Sequence, residues 1–408
     1  MNVLGLLHCT SFRADSLLCQ ALRYRTLPPN HLASRDNLLF TLCLTTLTSL
    51  IPLPRMSSER EKTMEEIIQD VRCFYHRGAP LFTRDELRRV ADLIDKHAKG
   101  ELENDKMLAK GINDAAVRVF PRGDGSYRKP KDLRIEYRPI ETLTVDANPS
   151  CWTAEEAYLS IVPAPQYIDS YSHYGLGGTS STSRTLSAAE LGTLLSDAKK
   201  AWEATSHYRR LRNYIETYRI FEEVRKIVGL ALGPLFNPNQ MREGYVPSHG
   251  PGPDPSLTQY ALLLSLRDLL ADNCGGDIRC YAQDPILCPT ATKILEDAGI
   301  TVLKDPHGFL EIDDETFVVS ISPNVPVKQI VADIARPVAL MWIPDTDNEQ
   351  MRQGYPRRYT DPCSSRVNIM LENEYIAMNF PFSDPLRGTD VYMRRKKREG
   401  SSEKSIEP

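Results

Sequence analysis

The chain lacks any Cys-x-x-Cys pair although it holds nine cysteines in 408 residues, so it reads as neither a zinc finger nor a disulfide scaffold. It also lacks an apolar run of the roughly 20 residues that a membrane-spanning helix needs. The most apolar stretch, residues 38–53, is 16 residues long and contains five Thr or Ser and a proline. Charge of one sign is not in excess either. Fifty Lys and Arg against 54 Asp and Glu give −4, which denies the molecule the broad positive field of nonspecific nucleic-acid binding. Gly-x-Ser-x-Gly, His-Glu-x-x-His and the P-loop Gly-Lys-Ser/Thr are all absent, and the eight histidines stand singly without metal-ligand spacing. No catalytic residue and no metal site is therefore expected, and no cofactor can be specified. What remains is ordinary: 41% apolar and 25% charged residues exclude collagen, a coiled-coil rod and wholesale disorder.

Residues 1–55 differ from everything after them. They hold 15 Leu and five Arg but no Lys and no Glu, and the rest of the chain carries −7 without them. Three origins fit: a wrongly assigned start, with Met56 opening an ordinary charged N-terminus; an Arg-bearing, acid-poor presequence; or an atypical signal anchor. A chain beginning at Met56 is expected to be as soluble and stable as the whole, and residues 1–55 are kept out of the fold argument.

Residues 59–76 place Met64, Ile67, Ile68 and Val71 on one helical side. Thr83 and Glu86 form a capping box that opens a second helix, closed at Gly100. Alternation at Val117, Val119, Leu133, Ile135 and Tyr137 then predicts strands, with a turn at residues 123–125. Residues 56–162 thus read as an accessory α+β region. Residues 163–186 are rich in Pro, Ser and Gly and read as a linker, their glycine cluster having no strand before it to make a phosphate loop. A second capping box, Ser187 with Glu190, opens the C-terminal half at 187–393. There strands at 226–232, 278–281, 300–303, 317–321 and 338–343 alternate with helices at 257–270, 290–298 and 327–335. That rhythm predicts a doubly wound, mostly parallel, Rossmann-like α/β sheet. Residues 394–408 form a polar tail headed by the basic run Arg394, Arg395, Lys396, Lys397 and Arg398, which suggests nuclear as well as cytoplasmic residence.

In such sheets ligands bind where the strand order reverses, at the carboxyl ends of the strands. The residues expected there are Gly233, Pro234, Asp284, Ser322, Asn324 and Asp345. Gly229, Gly233 and Asp284 are the candidate cofactor-binding set, because a carboxylate after the second strand can accept hydrogen bonds from ribose hydroxyls. The dinucleotide fingerprint is incomplete: Asp284 lies 51 residues after Gly233, and a proline-rich insertion separates Gly233 from its helix. The same Asp is also explained by a plain Asp-Pro turn. Cys280 and Cys288 flank the second strand and read as free thiols.

Several segments together carry a resemblance: residues 206–208 and 227–235; Gln259 to Leu264 opening the first helix; Tyr281, Ala282, Gln283, Asp284 and Pro285; residues 295–300; residues 317–323; and Gly388 to Tyr392. They resemble the Sensitivity to Red Light Reduced-like (SRR-like) domain family across roughly 206–393. The chain departs from the family where Gly229 to Gly233 replaces a compact Gly-Leu-Gly strand end, and where Ser322 to Pro326 replaces Pro-His-Cys. The resemblance implies a regulatory protein linked to light signalling and circadian timing, with no established reaction and no catalytic residue to carry over. A protein partner and a small nucleotide-like ligand are expected, and no membrane or specific nucleic acid. The alternative is a nucleotide- or S-adenosylmethionine-dependent transferase working at the switch point.

Overall fold

The computed structural model describes residues 62–101, 108–118, 132–144, 154–166, 186–236, 254–344, 361–378, 386 and 388–396. The leader at 1–55, the turn at 123–125, the glycine cluster, the insertion after Phe236, Asp345 and residues 397–408 lie outside them.

The N-terminal segment contributes helices α1 (Met64–His76) and α2 (Arg84–Ala98), strands β1 (Leu108–Lys110), β2 (Ala116–Arg118) and β3 (Asp132–Tyr137), the single turn α3 (Ile140–Leu143), and strand β4 (Ile161–Gln166). Thr63 caps α1 with a reciprocal bond to Glu66, so α1 starts at the first residue of its apolar stripe and five residues after the start of the expected range 59–76. Thr83 caps α2, but Glu86 does not return the bond; its carboxylate binds Arg89 at 2.6 Å and the Lys110 amide instead.

The C-terminal half follows with α4 (Ala188–Glu203), α5 (Ser206–Thr217), β5 (Lys226–Leu230), α6 (Pro255–Cys274), β6 (Arg279–Gln283), α7 (Pro289–Asp297), β7 (Thr301–Val302), α8 (His307–Glu311), β8 (Thr316–Ser320), α9 (Val327–Ile334), β9 (Ala339–Trp342), α10 (Ser365–Glu374), β10 (Tyr375–Ala377) and β11 (Asp390–Arg394). Seven strands form one sheet in the order β10-β11-β9-β8-β5-β6-β7. All neighbours from β9 to β7 are parallel, and β11 and β10 add an antiparallel edge. The sheet is thus doubly wound and mostly parallel, as expected. The chain goes from β5 outward to β6 and β7, returns to β8 on the other side of β5, and so puts the switch point between β5 and β8.

Strands β5, β8 and β9 are buried at every position, as parallel strands covered on both faces must be. Alternate residues divide between two cores. Ile227, Phe317, Val319, Ala339 and Met341 pack against Leu195, Trp202, Leu211 and the α6 leucines. Val228, Leu230, Val318, Leu340 and Trp342 pack against Ile67, Val71, Leu87 and Val90 from α1 and α2 and Phe82 between them. α6 is buried at every position from Leu257 to Leu266 because it runs through the first of these cores.

The segment read as an accessory region therefore supplies a covering layer of the sheet, within one compact unit from Lys62 to Pro408. Polar contacts tie it to α9 and α10. Asp333 of α9 accepts the Leu81 and Phe82 amides at 2.7 and 3.0 Å and pairs with Arg366, whose guanidinium lies 4.2 Å over the Tyr75 ring. The basic run needs a correction at its first residue. Arg394 is not in a tail but ends β11, where it donates to the Asp314 carbonyl at 2.9 Å and pairs with Glu223 at 3.3 Å.

Candidate functional site at the carboxyl edge

β5 ends at a bend that the chain achieves with unusual backbone. Ala231 takes φ 53° and Gly233 φ 85°, and across the switch point Ser322, two residues past the end of β8, takes φ 55°. Left-handed conformations at non-glycine residues cost on the order of 1–3 kcal/mol and persist where surrounding bonds over-determine them. Those bonds are present. The Ala231 amide donates to the Gln283 carbonyl at 2.9 Å, the Tyr260 hydroxyl donates to the Gly233 carbonyl at 2.8 Å, and the Ser320 hydroxyl donates to the Leu230 carbonyl at 3.2 Å.

Gly233 and Asp284, 51 residues apart in sequence, meet directly. The Gly233 amide donates to Asp284 Oδ2 at 2.6 Å, and the Ile286 amide donates to Asp284 Oδ1 at 3.0 Å. The carboxylate at the second strand end thus pins the first strand's turn to its own Asp-Pro turn. Gly229 has a packing reason to be glycine: a Cβ there would lie 2.8 Å from Leu232 Cδ1 and 3.1 Å from Leu263 Cδ2. At Gly233 a Cβ would meet Ser256 Oγ at 2.5 Å. The start of α6 is capped as well, since Asp254 Oδ1 accepts the Ser256 amide at 2.8 Å.

A second carboxylate escaped the sequence reading. Asp305 follows β7, and its Oδ1 accepts both the Tyr137 hydroxyl at 2.6 Å and the Gln283 side-chain amide at 2.9 Å. Gln283 Oε1 in turn accepts the Gly308 amide at 2.6 Å. One signal could have found Asp305: it is the second Asp-Pro to follow a strand, repeating Asp284-Pro285.

Electrostatics set the two acids apart from surface carboxylates. Burial pushes Asp284 up, against the opposing pull of the Ile286 and Gly233 amides. Burial pushes Asp305 up to about 7, with the charge of Asp284 adding to it and the bonds from Tyr137 and Gln283 opposing. The phenols of Tyr137 and Tyr260 are raised by burial too, so both stay protonated donors. Among the described residues no group of three or more His, Cys, Asp or Glu is placed to hold a metal ion. Chemically, the edge holds one acid, Asp305, whose burial favours its protonated form. Its phosphate-binding capacity is reduced, because the amides at Gly233 and Ser256 already serve carboxylates. A cavity of about 630 Å³ opens elsewhere, between α4, α6 and α7, with Leu195, Leu264 and Ile294 among its walls and Lys199, Arg267 and Lys293 among its charges.

No helix among the described residues is long and apolar enough to cross a membrane. A comparison with curated proteins finds no match. Among solved structures the chain is similar to an O-methyltransferase family protein from Burkholderia thailandensis, at 11% identity and a TM-score of 0.26, over 50% of this chain and 61% of that one. The chain therefore spans about three fifths of that protein's length. Residues 210–365 match the family model of the SRR1 domain, a stretch that begins within α5 and runs past β9 to the first residue of α10. In that stretch, which includes the Asp284 turn, the chain is similar to the SRR1 domain family.

Proposed function

We propose that the chain is a regulatory binding protein, acting through a protein partner in light signalling and circadian timing as its SRR-like motifs imply, and not through phosphate-dependent catalysis. The observation that carries this reading is the use of Asp284: both of its oxygens accept backbone amides, so the carboxylate that a nucleotide fold offers to ribose is engaged in holding two turns together. A pyrophosphate would also face Asp254 at the start of α6, and a carboxylate there repels it.

A thermal-shift screen against adenine nucleotides, nicotinamide dinucleotides and S-adenosyl compounds tests the binding half. A ligand at 100 times its dissociation constant adds about 2.7 kcal/mol, which is readily seen. Phosphate-bearing ligands are expected to leave melting unchanged, and a clear shift with any of them overturns the reading. The timing half is tested by removing the protein from its host and recording free-running period after light pulses; unaltered rhythms would refute it. A second reading, an S-adenosylmethionine-dependent transferase at the switch point, draws support from Asp305, an acid raised to about 7 beside a sheet edge. A melting shift confined to S-adenosyl compounds would favour it.

A further inference from the structure

Strand β3 belongs to the N-terminal layer, while β6, β7 and α8 belong to the sheet domain. Tyr137 of β3 and Gln283 of β6 meet at one oxygen atom of Asp305, in the turn between β7 and α8. Asp305 Oδ1 receives the Tyr137 hydroxyl from β3 and the Gln283 amide from the end of β6. Around this point the packing is close: the Tyr137 ring lies edge-on to Phe309 at 5.5 Å and tilted to Phe82 at 6.4 Å. Gly308 sits so near that an added Cβ would be 2.8 Å from Gln283 Oε1. We infer that Tyr137 and Asp305 form a pH-sensitive latch that fastens the N-terminal layer to the carboxyl edge of the sheet.

The neighbouring charges support a two-state latch. From the end of β6, Asp284 adds its own negative charge toward Asp305. On α2, Arg84 donates to the carbonyls of Leu310 and Ile312. Glu311 of α8 reaches Lys226 at 3.6 Å, and Arg138, next to Tyr137 on the chain, pairs with Glu136 at 3.0 Å. Lys304 and His307 flank Asp305 in sequence, the lysine exposed and the histidine partly buried. The ionised form is thus opposed by burial and by Asp284, and favoured only by the two neutral donors. Tyr137 stays protonated, so Asp305 is the member that titrates.

The sign follows from linkage. An acid raised from 3.8 in the open chain to about 7 in the closed one holds its proton more tightly when closed. The closed state is favoured fully below about pH 4, loses ground between about 4 and 7, and levels off above that window. Near neutrality a small acidification tightens the layer and a small alkalinisation loosens it.

The test is hydrogen exchange of the β3 peptide at pH 5.5 and 8.5 in the full chain, corrected for intrinsic rates. Opening is expected to be about thirtyfold more frequent at the higher pH. Asp305→Asn, neutral at both values, should abolish that difference. Tyr137→Phe keeps the ring packing but removes a donor that favours the ionised form, so its transition should move to higher pH. This second variant decides the matter should Asp305→Asn fold poorly. Equal β3 protection at both pH values in the wild type, or an unchanged pH difference in Asp305→Asn, would overturn the latch.

Discussion

Asp284 offers the sharpest separation between a structural and a ligand-binding role. In the folded chain its two oxygens accept the Gly233 and Ile286 amides at 2.6 and 3.0 Å. Asp284→Ala leaves both donors without that acceptor, at about 1–3 kcal/mol each if they stay dry. Part of this is returned, because the variant also removes a carboxylate whose ionised form burial disfavours. The net expectation is a loss of about 2–4 kcal/mol. Asp284→Asn keeps one acceptor but turns an amide NH₂ toward the other backbone donor, so about 1–3 kcal/mol should be lost. Melting should fall by several degrees for each, since 1 kcal/mol moves Tm by about 2–4 °C in domains of 150–250 residues and somewhat less in larger ones. Hydrogen exchange adds the local readout: the Gly233 amide should exchange faster in both variants. The pH profile adds a third. Because burial raises Asp284, its ionisation costs stability as pH rises through the carboxylate range, and both variants should lack that slope. If both variants melt with the wild type and the Gly233 amide stays protected, the pin is not what holds this turn, and a role toward ligand hydroxyls becomes the better account.

Three further outcomes are expected. Gly233→Ala should destabilise through its φ of 85° and the 2.5 Å approach to Ser256 Oγ, and adding Ser256→Ala should recover only the second part; no recovery would mean that the contact is not the cost. Arg394→Ala should lower stability by about 1–3 kcal/mol because a partly buried guanidinium leaves the Asp314 carbonyl and Glu223, whereas Lys396→Ala, more exposed, should stay within about 0.5 kcal/mol in the same melting assay. Cys280, buried and pushed up to about 12, should resist maleimide while exposed Cys288 reacts before it, and early labelling of Cys280 in the native chain would contradict its burial.

The α/β alternation was legible because strands covered on both faces leave short apolar runs, and β5, β8 and β9 each follow a sequence run within two residues. Caps were legible where both partners are local, as at Ser187 and Glu190. At Thr83 the local signal held only in half, since Glu86 found Arg89 and the Lys110 amide, and only the folded chain brings Lys110 there. Gly229, Gly233 and Asp284 were singled out from position alone, and the sequence offered both a ligand and a turn for the aspartate. Tertiary structure decided its bonds, because the amide that it accepts comes from 51 residues away.

What the sequence determined by itself was periodicity, punctuation and the family motifs, all of which are encoded over a few neighbouring residues. What only the tertiary structure decided was everything that depends on distant residues meeting: the N-terminal helices as the cover of one sheet face, Arg394 as a strand end, and the junction of Tyr137 with Asp305, 168 residues apart. Asp305 is an ordinary carboxylate in the sequence; burial beside Asp284 and a hydroxyl from another layer set its proton affinity, and burial is a property of the fold.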